Sequence, residues 1–121
     1  MTAKVLYDGK EALEGLNADQ MIECYAEEFL YEALSSNDSI TDRDSLKKYY
    51  QQLFSLPQVS FSDFKILDAE HFAVSEWTWS GVSPITGKQY RVRGASIIEL
   101  SGGKVIRERQ YYDPKPFWSM E

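Results

Sequence analysis

The chain has 121 residues, of which 43% are hydrophobic and 14% aromatic. This length suits one domain, residues 1–121, that can bury a core without disulfides or metal ions. Nineteen acidic against thirteen basic residues give a net charge of -6, which disfavours nucleic acid as a partner. The single cysteine, Cys24, cannot form an internal disulfide. With no signal peptide and no long apolar run, we expect a cytoplasmic protein without a membrane partner.

The first third of the chain predicts two helices and a strand. Apolar residues at roughly helical spacing indicate a short helix from about Lys10, and Asn17 is expected to cap a second helix over residues 18–28. Residues 29–34 are predicted as the first strand. Tyr25 falls on the apolar face of the second helix, so we expect it in the core or against a ligand.

The clearest helix begins near Thr41, because Thr41 and Asp44 resemble a capping box. Apolar and aromatic residues then recur at helical spacing: Leu46, Tyr49, Tyr50, Leu53 and Phe54. This spacing is typical of a helix that covers a core, and it also makes Tyr50 a candidate ligand contact. Pro57 follows the predicted end of this helix.

Four further strands are predicted from alternating β-forming residues and the turns between them. They span residues 59–64, 72–81, 88–100 and 105–113. Gly102 and Gly103 form the loop of the last hairpin, and Pro114 ends the last strand because it lacks a backbone N–H. Helices on one face of such an antiparallel sheet make an α+β domain.

Counting outward from the last hairpin predicts which side chains share a sheet face. If Leu100 pairs with Val105, Gly94 lies opposite Tyr111. A preceding hairpin centred near Ile85 and Thr86 adds Trp77 opposite Gly94 and Trp79 opposite Val92. The resulting face combines aromatic and small residues with one acid: Trp77, Trp79, Val92, Gly94, Ser96, Tyr111 and Asp113. Such a face suits a pocket for a small hydrophobic or aromatic molecule. A carboxylate placed there would have a raised pKa and could exchange protons near neutral pH.

Four stretches resemble the nuclear transport factor 2-like superfamily, and more closely its SnoaL-like polyketide cyclase branch. They are residues 46–57, 76–81, 90–97 and 103–113, of which the last is the most specific. The resemblance implies a cone-shaped fold with a curved, mostly antiparallel sheet, helices on its concave face, and often a homodimer. It also implies that the acid at the position of Asp113 is the general acid/base of a ring closure that needs no metal or cofactor.

The same core is similar to limonene-epoxide hydrolase, in which Tyr, Asn, Arg and two Asp side chains activate water. Tyr31 matches the tyrosine of that family and Asp113 its final aspartate. Ala33, Trp77 and Trp79 stand at the other three positions. Epoxide hydrolysis by that mechanism is therefore not expected.

Two functions remain open. The chain is either a cyclase-like lyase or isomerase, with Asp113 as general acid/base and the hydroxyls of Tyr31 and Tyr111 orienting a carbonyl or enolate, or a ligand-binding or assembly domain without chemistry. His71, the only histidine, lies in a predicted turn, so we expect no histidine metal site and no Ser-His-Asp triad.

The outer sheet face is predicted to form a homodimer, because it mixes apolar and charged residues. The predicted register pairs Ile97 with Glu108 and Glu99 with Ile106. Ile97, Ile106 and Tyr112 are expected at the centre of the interface. At its rim, Arg91 and Arg93 of one subunit are expected to form ion pairs with acids of the other: Glu76, Glu99 or Glu108.

Overall fold

The computed structural model describes residues 4–35 and 37–119, so the ends of the predicted domain lie outside the described residues. The helices are α1 (Lys4–Glu14), α2 (Ala18–Glu23), α3 (Arg43–Phe54) and α4 (Lys115–Trp118). The strands are β1 (Tyr25–Ala33), β2 (Asp38–Ile40), β3 (Ser60–Asp68), β4 (Phe72–Val82), β5 (Gln89–Ser101) and β6 (Lys104–Tyr112). The short elements β2 and α4 were not predicted from the sequence.

The strands form one curved, unclosed sheet in the order β2-β1-β6-β5-β4-β3. Successive strands from β3 to β6 pair antiparallel, as predicted. Strand β1 pairs in parallel with β6, which brings the start of the chain against its end. The α+β prediction is confirmed, and the mostly antiparallel sheet carries its helices on one side.

The second helix is shorter than predicted. The side chain of Asn17 accepts a hydrogen bond from the backbone N–H of Gln20 at 3.0 Å, as expected for a cap. The helix ends at Glu23, however, and Tyr25 already belongs to β1. The reason is a tertiary contact, because the N–H of Val105 in β6 donates to the carbonyl of Cys24 at 2.9 Å. Tyr25 therefore reaches the interior from a strand and not from a helix.

Helix α3 is capped by Asp42 and not by Thr41. The Asp42 carboxylate accepts the backbone N–H of Ser45 at 2.9 Å, and this hydrogen bond lowers the pKa of Asp42. Further along the helix, Leu46 and Tyr50 are buried as their spacing predicted. Helix α3 thus presents its aromatic side to the sheet.

A β-bulge interrupts the hairpin of β5 and β6. Leu100 lies opposite Val105 as predicted, but Glu99 lies opposite Arg107. Ile106 is thus an extra residue on β6, and it is partly exposed. From this point onward every residue of β6 faces the side opposite to the predicted one.

The consequence of the bulge is a new set of inward-facing residues. Glu108 lies opposite Ile98, and Tyr112 lies opposite Gly94. The predicted pairs of Gly94 with Tyr111 and of Ile97 with Glu108 are therefore wrong. The β4–β5 register needs no such correction, since Trp77 lies opposite Gly94 as predicted.

Candidate active site

A cavity of about 100 Å³ lies between the sheet and helices α1, α2 and α3. Helix α1 contributes apolar residues such as Leu6 and Leu13, and the sheet supplies most of the polar groups. Seven aromatic side chains line the cavity: Tyr25, Tyr49, Tyr50, Phe61, Trp77, Trp79 and Tyr112. Among the described residues that line the cavity, Glu108 is the only one with an acidic or basic side chain. The site is thus a cavity lined mainly by aromatic side chains, with one carboxylate on its wall.

Glu108 is 6% exposed and reaches the cavity because of the bulge at Ile106. One carboxylate oxygen, Oε1, accepts a short hydrogen bond from the hydroxyl of Tyr25. The other, Oε2, accepts from the side-chain amide of Gln110 at 2.9 Å. A buried carboxylate needs such donors, since they replace the water it has lost.

Tyrosine hydroxyls extend this hydrogen-bonded group on both sides. The hydroxyl of Tyr50 lies 2.8 Å from that of Tyr25. Since Tyr25 gives its only hydrogen to the carboxylate, Tyr50 is the donor in this pair. On the other side, Tyr31 donates to Oε1 of Gln110 at 2.7 Å and lies 3.0 Å from the hydroxyl of Tyr49.

These tyrosines are neutral at physiological pH. Burial raises the pKa of Tyr25 and Tyr50 well above the usual value, and the nearby Glu108 raises it further. Burial, with the neighbouring Tyr49 and Tyr50, does the same for the pKa of Tyr31. A neutral phenol donates a hydrogen bond but is a poor nucleophile. The group therefore supplies hydrogen-bond donors to the carboxylate of Glu108 and does not supply a phenolate.

Trp77 forms the wall of the cavity along β4. Its indole N–H donates to Oγ of Ser96 at 3.0 Å. Its ring lies over Gly94, where an added Cβ would come within 2.5 Å of the ring carbon Cη2. The ring of Tyr112 packs beside it, with the centroids 5.7 Å apart. Trp77 is thus held by a hydrogen bond and by packing on two sides.

Cys24 lines the cavity near α1 but is only 3% exposed. Burial raises the pKa of its thiol to about 11. The Sγ atom is 3.6 Å from the carbonyl oxygen of Gln20, to which it donates. Because the thiolate is the nucleophilic form, Cys24 is an inert wall residue at neutral pH.

Five of the predicted ligand contacts lie on the cavity wall: Tyr25, Tyr50, Trp77, Trp79 and Ser96. Two others, Val92 and Gly94, lie behind the wall. Val92 is 2% exposed within the aromatic cluster, and Gly94 is covered by the Trp77 ring. Ligand contact by these residues stays a prediction.

The predicted catalytic residues do not come together. Asp113 is exposed, and its Oδ1 accepts the backbone N–H of Lys115 at 3.0 Å. Tyr111 is 45% exposed, and neither residue lines the cavity. Their predicted place beside the tryptophans is wrong because the bulge reverses the facing of β6. Tyr31 is buried and lies beside Glu108 in the pairing of β1 with β6, and its hydroxyl is linked to the Glu108 carboxylate through Gln110.

Sequence reasoning missed Glu108, Gln110 and Tyr112, which take the inward positions of β6. Within residues 4–35 and 37–119, no group of three or more His, Cys, Asp or Glu side chains could hold a metal ion. In the same ranges no helix has both the length and the apolar character needed to cross a membrane.

The sequence of residues 7–108 matches the SnoaL-like domain family. No curated protein matches the chain in sequence.

Solved structures resemble the chain over nearly its whole length. A protein of ketosteroid isomerase-like fold from Catenulispora acidiphila, in complex with trimethylamine, has a TM-score of 0.84 at 15% identity and covers 97% of this chain and 91% of its own. A proposed polyketide cyclase from Pseudomonas putida has a TM-score of 0.83 at 12% identity, covering 99% and 98%. A nuclear transport factor 2-like protein from Burkholderia thailandensis has a TM-score of 0.83 at 16% identity, covering 96% and 95%. At these identities the similarity establishes the fold alone.

Proposed function

We propose that this chain, which belongs to the SnoaL-like domain family, binds a small, largely apolar carbonyl compound and moves a proton on it without a cofactor. Glu108 is the proton-transfer group. The observation that carries this proposal is a single carboxylate, 6% exposed, on the wall of an aromatic cavity. Such an environment suits general acid–base chemistry, because little water competes for the proton.

The reaction begins when a carboxylate oxygen of Glu108 removes a hydrogen from the carbon next to the substrate carbonyl. The electron pair of that C–H bond forms the double bond of an enolate, whose oxygen takes the negative charge. Return of the proton from Glu108 to another carbon completes an isomerisation. In a ring closure, the enolate carbon attacks a second carbonyl of the substrate, and the resulting alkoxide oxygen takes the proton back from Glu108. Both routes regenerate the starting form of the enzyme without an oxidant or reductant.

Neighbouring polar groups have distinct tasks in this proposal. Tyr25 and Gln110 hold the two carboxylate oxygens of Glu108 and fix its direction. The hydroxyl oxygen of Ser96 accepts from Trp77, so its own hydrogen is free to point to the enolate oxygen. Ser96 and Glu108 both line the cavity, which lets one ligand meet both.

The descriptions of two similar structures support a small-molecule function. One is a proposed polyketide cyclase, and another has a ketosteroid isomerase-like fold. The latter was solved with trimethylamine, a molecule smaller than benzene. Both descriptions agree with a protein that binds or transforms a small molecule.

Two variants test which carboxylate acts. The assay is the conversion of 3-cyclohexenone to 2-cyclohexenone, followed by the absorbance of the conjugated product. Glu108→Gln keeps the side-chain shape but cannot accept the proton, so kcat should fall by about a hundredfold or more. Asp113→Asn should leave kcat unchanged, since this side chain is exposed and bonds Lys115.

If Asp113→Asn lowers kcat and Glu108→Gln does not, then Asp113 is the general acid/base that the sequence predicted and Glu108 is not. Thermal unfolding of each variant shows whether a loss of rate is a loss of folding.

Binding without chemistry is the second candidate. Binding alone is favoured because four tyrosine hydroxyls of the site already lie within hydrogen-bond distance of protein groups. They belong to Tyr25, Tyr31, Tyr49 and Tyr50. Fewer donors are then left for an enolate. Incubation of cyclohexanone with the protein in D₂O separates the two candidates by mass analysis. Deuterium uptake above the uncatalysed rate shows proton transfer, whereas an unlabelled bound ligand shows binding alone.

A further inference from the structure

The cavity is small for a ligand pocket. Ligand pockets commonly have volumes of roughly 300–1,000 Å³, whereas an apolar cavity of roughly 150 Å³ is enough to hold benzene. The volume here is about 100 Å³. A ligand enclosed in it is therefore no larger than about one carbocyclic ring.

Trp77 occupies much of the space that a larger ligand would need. It is 8% exposed and lines the cavity opposite the helices. Its hydrogen bond to Ser96 fixes the indole edge, and the ring of Tyr112 supports its side. Because the ring is held in this way, it cannot swing aside at low cost to admit a second ring.

Gly94 determines where the Trp77 ring lies. Three atoms of the ring come within 2.9 Å of the point where a Cβ of residue 94 would be, so any side chain would displace the ring. Gly94 is not among the residues with positive φ, so its backbone does not itself require glycine. Its missing side chain therefore serves the placement of the indole ring against β5.

From these contacts we infer that Trp77, placed by Gly94, sets an upper limit on ligand size. The substrate class is the short open-chain or single-ring carbonyl compound, and fused-ring ketones are excluded. This inference rests on the proposed function in one respect, namely that the ligand meets Glu108. It does not require that a proton is transferred.

Binding of two ketones that differ by one fused ring tests the limit. The probes are 2-cyclohexenone and the bicyclic 1-tetralone, titrated into the full chain and followed by backbone amide shifts in NMR spectra. The wild-type protein should bind the single ring and bind the bicycle at least about tenfold more weakly. Trp77→Leu should bring 1-tetralone to an affinity equal to or above that for 2-cyclohexenone.

A second variant makes the cavity smaller instead of larger. In Gly94→Ala the new Cβ pushes the indole ring towards the helices, so binding of 2-cyclohexenone should weaken by about tenfold. Trp118→Leu is the control, because Trp118 is 54% exposed and does not line the cavity. It should bind both ketones as the wild type does. Should Trp77→Leu fail to fold, Trp77→Phe, which also shortens the ring system, takes its place.

Three results would overturn the size limit: equal affinity of the wild type for both ketones, no binding of either, or no gain of 1-tetralone binding in the folded Trp77 variant. The same titrations separate this inference from the proposed function. Binding of 2-cyclohexenone without isomerisation of 3-cyclohexenone removes the proton transfer and leaves the limit in place. Turnover of 3-cyclohexenone together with tight binding of 1-tetralone removes the size limit and leaves the proton transfer in place.

Discussion

Glu108 is a buried carboxylate that lies between two arginines in the sequence. Its hydrogen-bond partners, however, are neutral side chains. Arg107 points away from it and pairs with Glu32, with 3.0 Å between Nη2 and Oε1. Instead of a cation, Glu108 has the hydroxyl of Tyr25 and the amide of Gln110. Since a buried charge left without donors is costly, these two side chains are part of the stability of the site.

Phenylalanine substitutions measure this contribution. Tyr25→Phe removes a donor to a buried carboxylate, so the free energy of unfolding should fall by about 1.5–3 kcal/mol. Tyr50→Phe removes a bond between two neutral hydroxyls and should cost only about 1 kcal/mol. Tyr7→Phe, at a side chain that is 52% exposed, is the control and should change nothing. Urea denaturation supplies all three values, and equal losses at Tyr25 and Tyr7 would contradict this account of Glu108.

The bulge in β6 is the element that determines which side chains of this strand line the cavity. A single extra residue, Ile106, turns Glu108 inward and leaves Asp113 outside. Bulges are common near functional sites because they change the direction of a side chain without changing the rest of the sheet. Here the strand keeps its partners β1 and β5 on both sides of the irregularity.

Helix α3 carries Tyr49 and Tyr50 to the cavity, and its cap can be tested separately. Asp42→Ala should lower Tm by a few degrees at neutral pH, because the N–H of Ser45 loses its acceptor. Asp42→Asn keeps an acceptor and should retain most of the Tm, while Thr41→Ala should have little effect. The pKa of Asp42 is lowered from 3.8, so the charged cap stabilises the fold above that pH.

The sign of this effect gives a pH test of the cap. As the pH falls through the lowered pKa of Asp42, the carboxylate is protonated and its stabilisation is lost. The Tm difference between wild type and Asp42→Ala should therefore shrink in acid. A difference that is constant from neutral to strongly acidic pH would mean that Asp42 does not act through its charge.

The outer face of the sheet is the surface through which we propose that two copies of the chain form a homodimer. An apolar row crosses it, formed by Leu67, Val74 and Ile97 at facing positions of β3, β4 and β5. Leu67 is 60% exposed. The predicted composition of the face needs correction, because Ile97 lies opposite Arg109 and Tyr112 lies inside the cone. Glu108 is likewise unavailable as a rim partner for Arg91 or Arg93.

A charge in the middle of this row tests the dimer. Ile97→Glu would place carboxylates of two subunits near the two-fold axis, so the mass found by sedimentation equilibrium at micromolar concentration should fall from that of a dimer to 14.0 kDa. Ile85→Glu is the matched control, because Ile85 is 58% exposed in the turn after β4. A wild-type mass of 14.0 kDa would show that the outer face has no partner copy.

Local sequence determined most of the elements and the α+β class. Alternation along β4 and β5 placed Trp77 opposite Gly94 and Trp79 opposite Val92, and the structure has both pairs. This succeeded because the hairpin is regular, so one turn position fixes the facing of every residue on both strands. Helical spacing likewise identified the buried side of α3.

Only the tertiary structure decided which side chains of β6 face the cavity. It also decided that Tyr25 belongs to a strand. A one-residue bulge leaves no clear signal in the residues 105–113, yet it exchanges Asp113 and Tyr111 for Glu108 and Tyr112 at the inner face. Tyr25 becomes a strand residue because β6, eighty residues away along the chain at Val105, supplies its hydrogen-bonding partner. Non-local pairing and packing outweigh local propensity at both places, and these two places make the candidate site.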